Sequence, residues 1–141
     1  MRAVRDITFS NDGRRFLTAS FDFMMKLWDT ETGAWRCCVL CTPPHFRALG
    51  RADLPGACLG AYTTGFVPNA IKFHPSADKQ HLFVAGMQNK KIVQFDMNSG
   101  EVVQEYNEHL GPINTITFYD EGRRFLTTSD DKAIRCASMT T

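Results

Sequence analysis

The densest chemistry in this 141-residue chain lies among its five cysteines and four histidines. Cys37, Cys38, Cys41 and His45 fall close together, with Cys58 further on. Thiolate and imidazole are the ligand types that hold zinc, so Cys38-x-x-Cys41-x-x-x-His45 invites a metal reading. The spacing matches no standard zinc pattern and lacks a clean second pair. Ordinary reduced thiols are therefore expected, with no metal and no cofactor. Asp22, Asp131 and His109 are acid/base types, and Ser20 and Ser129 are nucleophile types. A general base needs a substrate within hydrogen-bond reach, and no cleft is implied here. Neither serine carries the glycines of a nucleophile elbow. Arg14-Arg15, Lys90-Lys91 and Arg123-Arg124 are cation pairs that could touch RNA phosphate, yet they sit in or beside tight turns, where solvated charge is normal. A net charge of +1 exerts no long-range pull on nucleic acid or anionic membrane. No apolar run is long enough to span a membrane.

The elements that must position these residues come from a repeat. Ile7-Thr8-Phe9 and Gly13-Arg14-Arg15-Phe16-Leu17-Thr18 return as Ile116-Thr117-Phe118 and Gly122-Arg123-Arg124-Phe125-Leu126-Thr127. From Val4 to Asp22, 11 of 19 positions are identical at an offset of 109. A looser copy between them begins at Ile71-Lys72-Phe73. In each copy two apolar residues flank one polar residue, the period of a strand. Asn11-Asp12-Gly13 and Asp120-Glu121-Gly122 then supply turn chemistry. A second strand (Phe16-Leu17-Thr18, Phe83-Val84-Ala85, Phe125-Leu126-Thr127), a third (Met25 to Trp28, Ile92 to Phe95) and a fourth (Glu101 to Tyr106) complete an antiparallel meander. Self-similarity at this scale marks units that stack to share a core. Function then belongs to a surface rather than to a catalytic pocket.

The step from the second copy to the third is 42 to 45 residues, and Lys26-Leu27-Trp28-Asp29 ends a third strand. With the degenerate Phe95-Asp96 and with Glu108-His109 ahead of a first strand, these landmarks resemble the WD40-repeat family. The resemblance implies an all-β fold: a partial WD40 β-propeller of about three four-stranded antiparallel blades, not closed. The units read as 1–41 (a blade lacking its leading Gly-His segment), 42–66 (an irregular Gly/Pro-containing insert), 67–107 (a second blade) and 108–141 (a shortened third blade). In the family a His, a Ser/Thr, an Asp and a Trp form a structural tetrad. The matching positions are Ser20, Asp22 and Trp28 in copy one, and His109, Ser129 and Asp131 in copy three. Ala137 stands where copy three would carry its Trp, and Met87, Asn89 and Phe95 leave copy two with no tetrad. Trp35 and Tyr62, in poorly matched sequence, are expected to serve packing.

The runs Leu82-Phe83-Val84-Ala85-Gly86-Met87, Lys90-Lys91-Ile92-Val93-Gln94 and Thr128-Ser129-Asp130-Asp131-Lys132 resemble WD-repeat proteins of the spliceosome. That implies a nuclear, non-catalytic scaffold acting around the second catalytic step of splicing. Its partners would be spliceosomal proteins, with no small-molecule substrate. The rival reading, a WD adaptor such as a ubiquitin ligase substrate receptor, expects Trp-Asp-x-Arg. Here Trp28-Asp29-Thr30 is followed by Glu31, and Phe95-Asp96-Met97 by Asn98. The missing Trp and the insert also fit a truncated product, and open blade faces predict a marginally stable or aggregation-prone chain.

Overall fold

The computed structural model describes residues 3–31, 35–39 and 59–139, with the backbone alone for 35–39 and 59–61. Twelve strands among these residues form three sheets. The first holds β1 (Val4–Phe9), β2 (Arg15–Ser20), β3 (Met25–Asp29), β4 (Trp35–Val39) and β5 (Leu59–Tyr62). The second holds β6 (Pro68–Phe73), β7 (Leu82–Met87), β8 (Ile92–Asp96) and β9 (Val102–Tyr106). The third holds β10 (Ile113–Tyr119), β11 (Arg124–Ser129) and β12 (Ile134–Ser138). The first three strands of each sheet pair antiparallel in sequence order, as the meander predicts. Two single 3-10 turns, Ala77–Lys79 and Asp120–Gly122, are the helical content of the described residues.

The repeated turn residues do what their types allow. Gly13 and Gly122 adopt φ of +68° and +85°, the left-handed region that costs glycine nothing. Each first strand also carries a bulge, between Val4 and Asp6, Pro68 and Ala70, and Ile113 and Thr115. A bulge sharpens twist and re-aims one side chain.

The segment 42–66 is not irregular throughout. β5 falls within it and pairs antiparallel with β3 at Met25–Tyr62 and Lys26–Ala61, while β4 pairs with β3 at Leu27–Arg36 and Trp28–Trp35. The outer-strand position of the first sheet is thus shared by two short strands, themselves parallel. Tyr62 explains why: its ring is fully buried, edge-on to Phe83 with centroids 5.0 Å apart.

The sheets stack face to face. One face of each, here the front, carries Ile7, Phe9, Phe16 and Trp28 in the first sheet; the other, the back, carries Thr8, Leu17, Ala19, Met25 and Leu27. The back of the first sheet packs on the front of the second, joining Leu17, Met25 and Tyr62 to Ile71, Phe73, Phe83 and Phe95. The back of the second packs on the front of the third, joining Leu82, Val84 and Ile92 to Ile116 and Phe125. Among the described residues the stack does not close into a ring.

Candidate functional surface

The polar residues of these constellations make hydrogen bonds within the sheets. In the third sheet, His109 Nδ1 lies 2.9 Å from Asp131 Oδ2, and Nε2 lies 2.8 Å from Thr127 Oγ1. Asp131 also accepts the backbone N–H groups of Leu110 and Ala133, each at 2.9 Å. His109 is buried, so its ring nitrogens must find partners inside the protein, and both do. The hydroxyl that meets it belongs to Thr127, not to Ser129. Ser129 lies two residues on, at the strand end, where its Oγ accepts the Asp131 N–H at 3.3 Å. Copy one differs in the same way: Trp28 Nε1 donates to Thr18 Oγ1 at 2.9 Å, while Ser20 Oγ donates to the Ala3 carbonyl at 3.3 Å. Thr18 and Thr127 occupy the same repeat position. Asp22 accepts the Met24 N–H at 3.0 Å and pairs with Lys26 Nζ at 3.3 Å. In copy two Ala85 and Phe95 take the hydroxyl and Trp positions, and Phe95 stacks on Phe83 at 5.0 Å. An apolar stack there replaces the polar network.

These contacts shape a pH response. The Leu110 N–H, then His109, then the Ala133 N–H hold the Asp131 carboxyl well below the usual carboxylate range. A carboxylate depressed in the folded state stabilises the protein above its unfolded pKa of about 3.9 and loses that contribution as pH falls towards its folded value. The urea midpoint is therefore expected to drop as pH is lowered from about 5 towards 2, and Asp131→Asn to flatten that drop. Equal acid slopes for the two chains would contradict it.

The three first strands line a groove of about 600 Å³, walled in part by Arg5, Asp6, Phe21, Asn69, Lys72 and Asn114. Its carboxylate is already committed: Asp6 accepts the N–H of Ile7 and, across the sheets, that of Ile71, each at 2.9 Å. Asn69 Nδ2 donates to the Ile113 carbonyl at 3.0 Å in the corresponding latch between the second and third sheets. No sequence signal beyond their place at the bulges marks these two residues. Removing the acceptor strands a buried N–H, so Asp6→Ala is expected to cost about 1–3 kcal/mol in urea unfolding. A variant matching the wild-type midpoint would refute the latch.

The cation pairs separate. Antiparallel pairing puts Arg14-Arg15 and Arg123-Arg124, in the first-to-second-strand turns, at one end of the stack. Lys90-Lys91, between β7 and β8, is at the other. Lys91 Nζ pairs with Glu105 at 2.8 Å, and Arg124 Nε lies 4.0 Å from Asp120. The end bearing Lys90-Lys91 also carries Phe21, Phe23, Phe66 and Leu110, each at least one-third exposed. Phe23 holds φ of +69°, an unusual conformation for a bulky side chain. Arg5 lies 5.1 Å from the centroid of the Phe21 ring. Of the cysteine group, Cys41, His45 and Cys58 lie outside the described residues, and Cys37 and Cys38 fall in β4, described for its backbone.

The model of the WD domain, G-beta repeat, matches residues 2–29 and 100–136. Human pre-mRNA-processing factor 17 is 49% identical over 95% of the chain, which spans 19% of that relative. The protein of the same name from Saccharomyces cerevisiae is 28% identical over 95% of the chain and 25% of its own length. Mouse WD repeat-containing protein 25 is 32% identical over 91% of the chain and 19% of its own length. The chain thus spans about a fifth to a quarter of these curated relatives. Three stacked antiparallel sheets, the His109–Asp131–Thr127 and Trp28–Thr18 anchors and these matches place the chain in the WD40-repeat family, similar to pre-mRNA-processing factor 17.

Proposed function

We propose that the chain is a non-catalytic scaffold of pre-mRNA splicing, working in the nucleus around the second catalytic step and binding spliceosomal proteins. The observation that carries this is the degree of the similarity. It is 49% identity over 95% of the chain, including the stretch between the two segments that the repeat model matches, at 2–29 and 100–136. Nuclear distribution protein nudF 2 of Penicillium rubens reaches 94% of the chain at only 27%. Supporting it, the acid/base residues are occupied by structural hydrogen bonds, so the polar constellation fixes loops rather than activating a substrate. The partner surface in this reading is the end that displays Phe21, Phe23, Phe66 and Leu110. Exposed apolar side chains on turns of a stiff sheet stack suit protein docking.

A splicing reaction in nuclear extract tests the step. Excess purified chain should compete for the partners of the endogenous factor, so that lariat intermediate accumulates and ligated exons decline. If the chain slows formation of the intermediate itself, or leaves both steps untouched at saturating concentration, the second-step assignment is lost.

A further inference from the structure

One histidine is enclosed between two sheets without a carboxylate. His74 follows β6 directly and is only 3% exposed, at the junction of the second sheet with the third. Its ring lies 5.6 Å from that of Phe118, and its Nδ1 accepts the Ser76 N–H at 3.1 Å. The third-sheet turn Asp120–Gly122 sits on this segment. The Gly122 backbone hydrogen-bonds the ring, and Ser76 Oγ donates to the Glu121 carbonyl at 2.9 Å. There is no slack between the two, since a Cβ built at Gly122 would lie 2.7 Å from His74 Cε1 and 2.8 Å from Pro75 Cγ. His109 is buried too, but its Nδ1 faces Asp131; among the described residues no carboxylate hydrogen-bonds His74. The charged and titratable groups around the ring are Lys79 and His81 from the β6–β7 connection and Glu121 and Arg123 from the third-sheet turn. Lys79, Glu121 and Arg123 line a pocket of about 470 Å³ beside it.

We propose that His74 is a proton-sensitive latch: its neutral ring holds the second sheet to the third, and protonation opens that junction while the junction of the first and second sheets stays closed. Nδ1 is occupied as an acceptor, so an added proton would point at the Ser76 N–H and set donor against donor. Burial first, then the Lys79 charge, push the imidazole below its ordinary range; the Gly122 backbone works the other way, and His81 adds to the lowering. The opened form, with its histidine near the ordinary value of about 6.5, therefore takes up the proton first as pH falls. The latch is complete above that value and weakens as pH drops from it towards the folded value. The other junction is built differently. There Ser10 holds the repeat position of His74, and Gln80 accepts the Asn11 N–H at 2.7 Å while donating to the His74 and Ser76 carbonyls. None of those bridging side chains titrates in this range. The Asp131 network lies at the opposite end of the third sheet and responds at lower pH.

Amide hydrogen exchange on the full 141-residue chain, compared at about pH 7.5 and about pH 5.5 as protection factors, tests it. In the wild type, opening of Asp120–Arg124 and of β10 should grow with acid, by up to about tenfold per pH unit, the limit for uptake of one proton. Protection in β1 to β3 should hold. His74→Asn keeps an acceptor near the Nδ1 position and cannot charge, so its third-sheet protection should be flat over the same range. A fall of equal size in His74→Asn overturns the latch, and so does a wild-type fall spread evenly over all three sheets. Imidazole NMR on the wild type serves as the second measurement should His74→Asn not fold. Its neutral form should carry the proton on Nε2, and the loss of protection in Asp120–Arg124 should share the midpoint of the His74 ring. A proton on Nδ1, or amides that respond at a midpoint the ring does not show, would equally overturn it.

Discussion

Phe83→Ala should cost about 3–5 kcal/mol of stability, the range for emptying a buried aromatic site. Phe83 is fully buried at the centre of the first inter-sheet core. Its ring stacks on Phe95 at 5.0 Å, meets Tyr62 edge-on at 5.0 Å and Phe73 at 6.5 Å. Alanine would remove one member of three ring pairs at once and leave a cavity whose walls belong to two different sheets. A domain of ordinary stability holds about 5–15 kcal/mol in all, so the loss removes a large fraction of it. The informative control is Phe16→Ala. Phe16 occupies the same repeat position, yet it is only half-buried, on the open front of the first sheet. In dilute monomer its replacement should cost well under half as much. Urea midpoints at constant slope measure both, and equal losses would mean that the first sheet is not at the end of the stack.

Gly86→Val should be comparably damaging for the opposite reason. A Cβ built at Gly86 would lie 2.5 Å from Ile113 Cγ2 and 2.9 Å from Ile113 Cβ, with Ile116 Cδ1 at 3.3 Å. The two nearest atoms are the Cβ and branch methyl of Ile113 in β10, the first strand of the third sheet; the Cβ is fixed to the backbone, so a rotamer change alone does not relieve the contact. The second and third sheets must separate, a strain in the overpacking range of about 1–3 kcal/mol or more. The backbone of Gly86 is ordinary strand, so contact alone sets the effect. Because the interface is between sheets, the third sheet should loosen first. Amide exchange in β10 to β12 is expected to quicken before that of β1 to β3. A variant with wild-type midpoint and uniform exchange would contradict the stack.

The parts of this fold that are legible in the sequence are those set by local chemistry. Ile-x-Phe alternation, Gly13 and Gly122 in left-handed turns, and the step to the next copy lead directly to strands and their order. The parts that are not legible depend on neighbours. Ile7 and Ile71 are the same residue in the same local pattern, and one is half exposed while the other is buried, because burial is decided by which sheet lies opposite. The anchor hydroxyls show the same limit. Thr18 and Thr127 are repeated as faithfully as Ser20 and Ser129, so spacing alone could not choose between them; reach from the buried ring of His109 and the indole of Trp28 does. β5 was hidden by the glycines and prolines around it, although Tyr62 supplies the buried ring that holds it in place. The Asp6 and Asn69 latches arise from bulges that no residue type announces. Met87, Asn89 and Phe95 leave the second unit without a tetrad in the sequence, but they do not reveal that an aromatic stack of Phe83 and Phe95 takes its place.

What the chain binds decides whether it is a splicing scaffold. Tagged chain, shown folded by its far-UV spectrum, should be incubated in nuclear extract beside the Phe83→Ala variant and the recovered proteins identified by mass spectrometry. Enrichment of spliceosomal proteins by the wild type, lost with Phe83→Ala, is the result expected of a splicing scaffold whose surface depends on the stacked sheets. A folded wild-type chain that recovers no spliceosomal protein above background would contradict it.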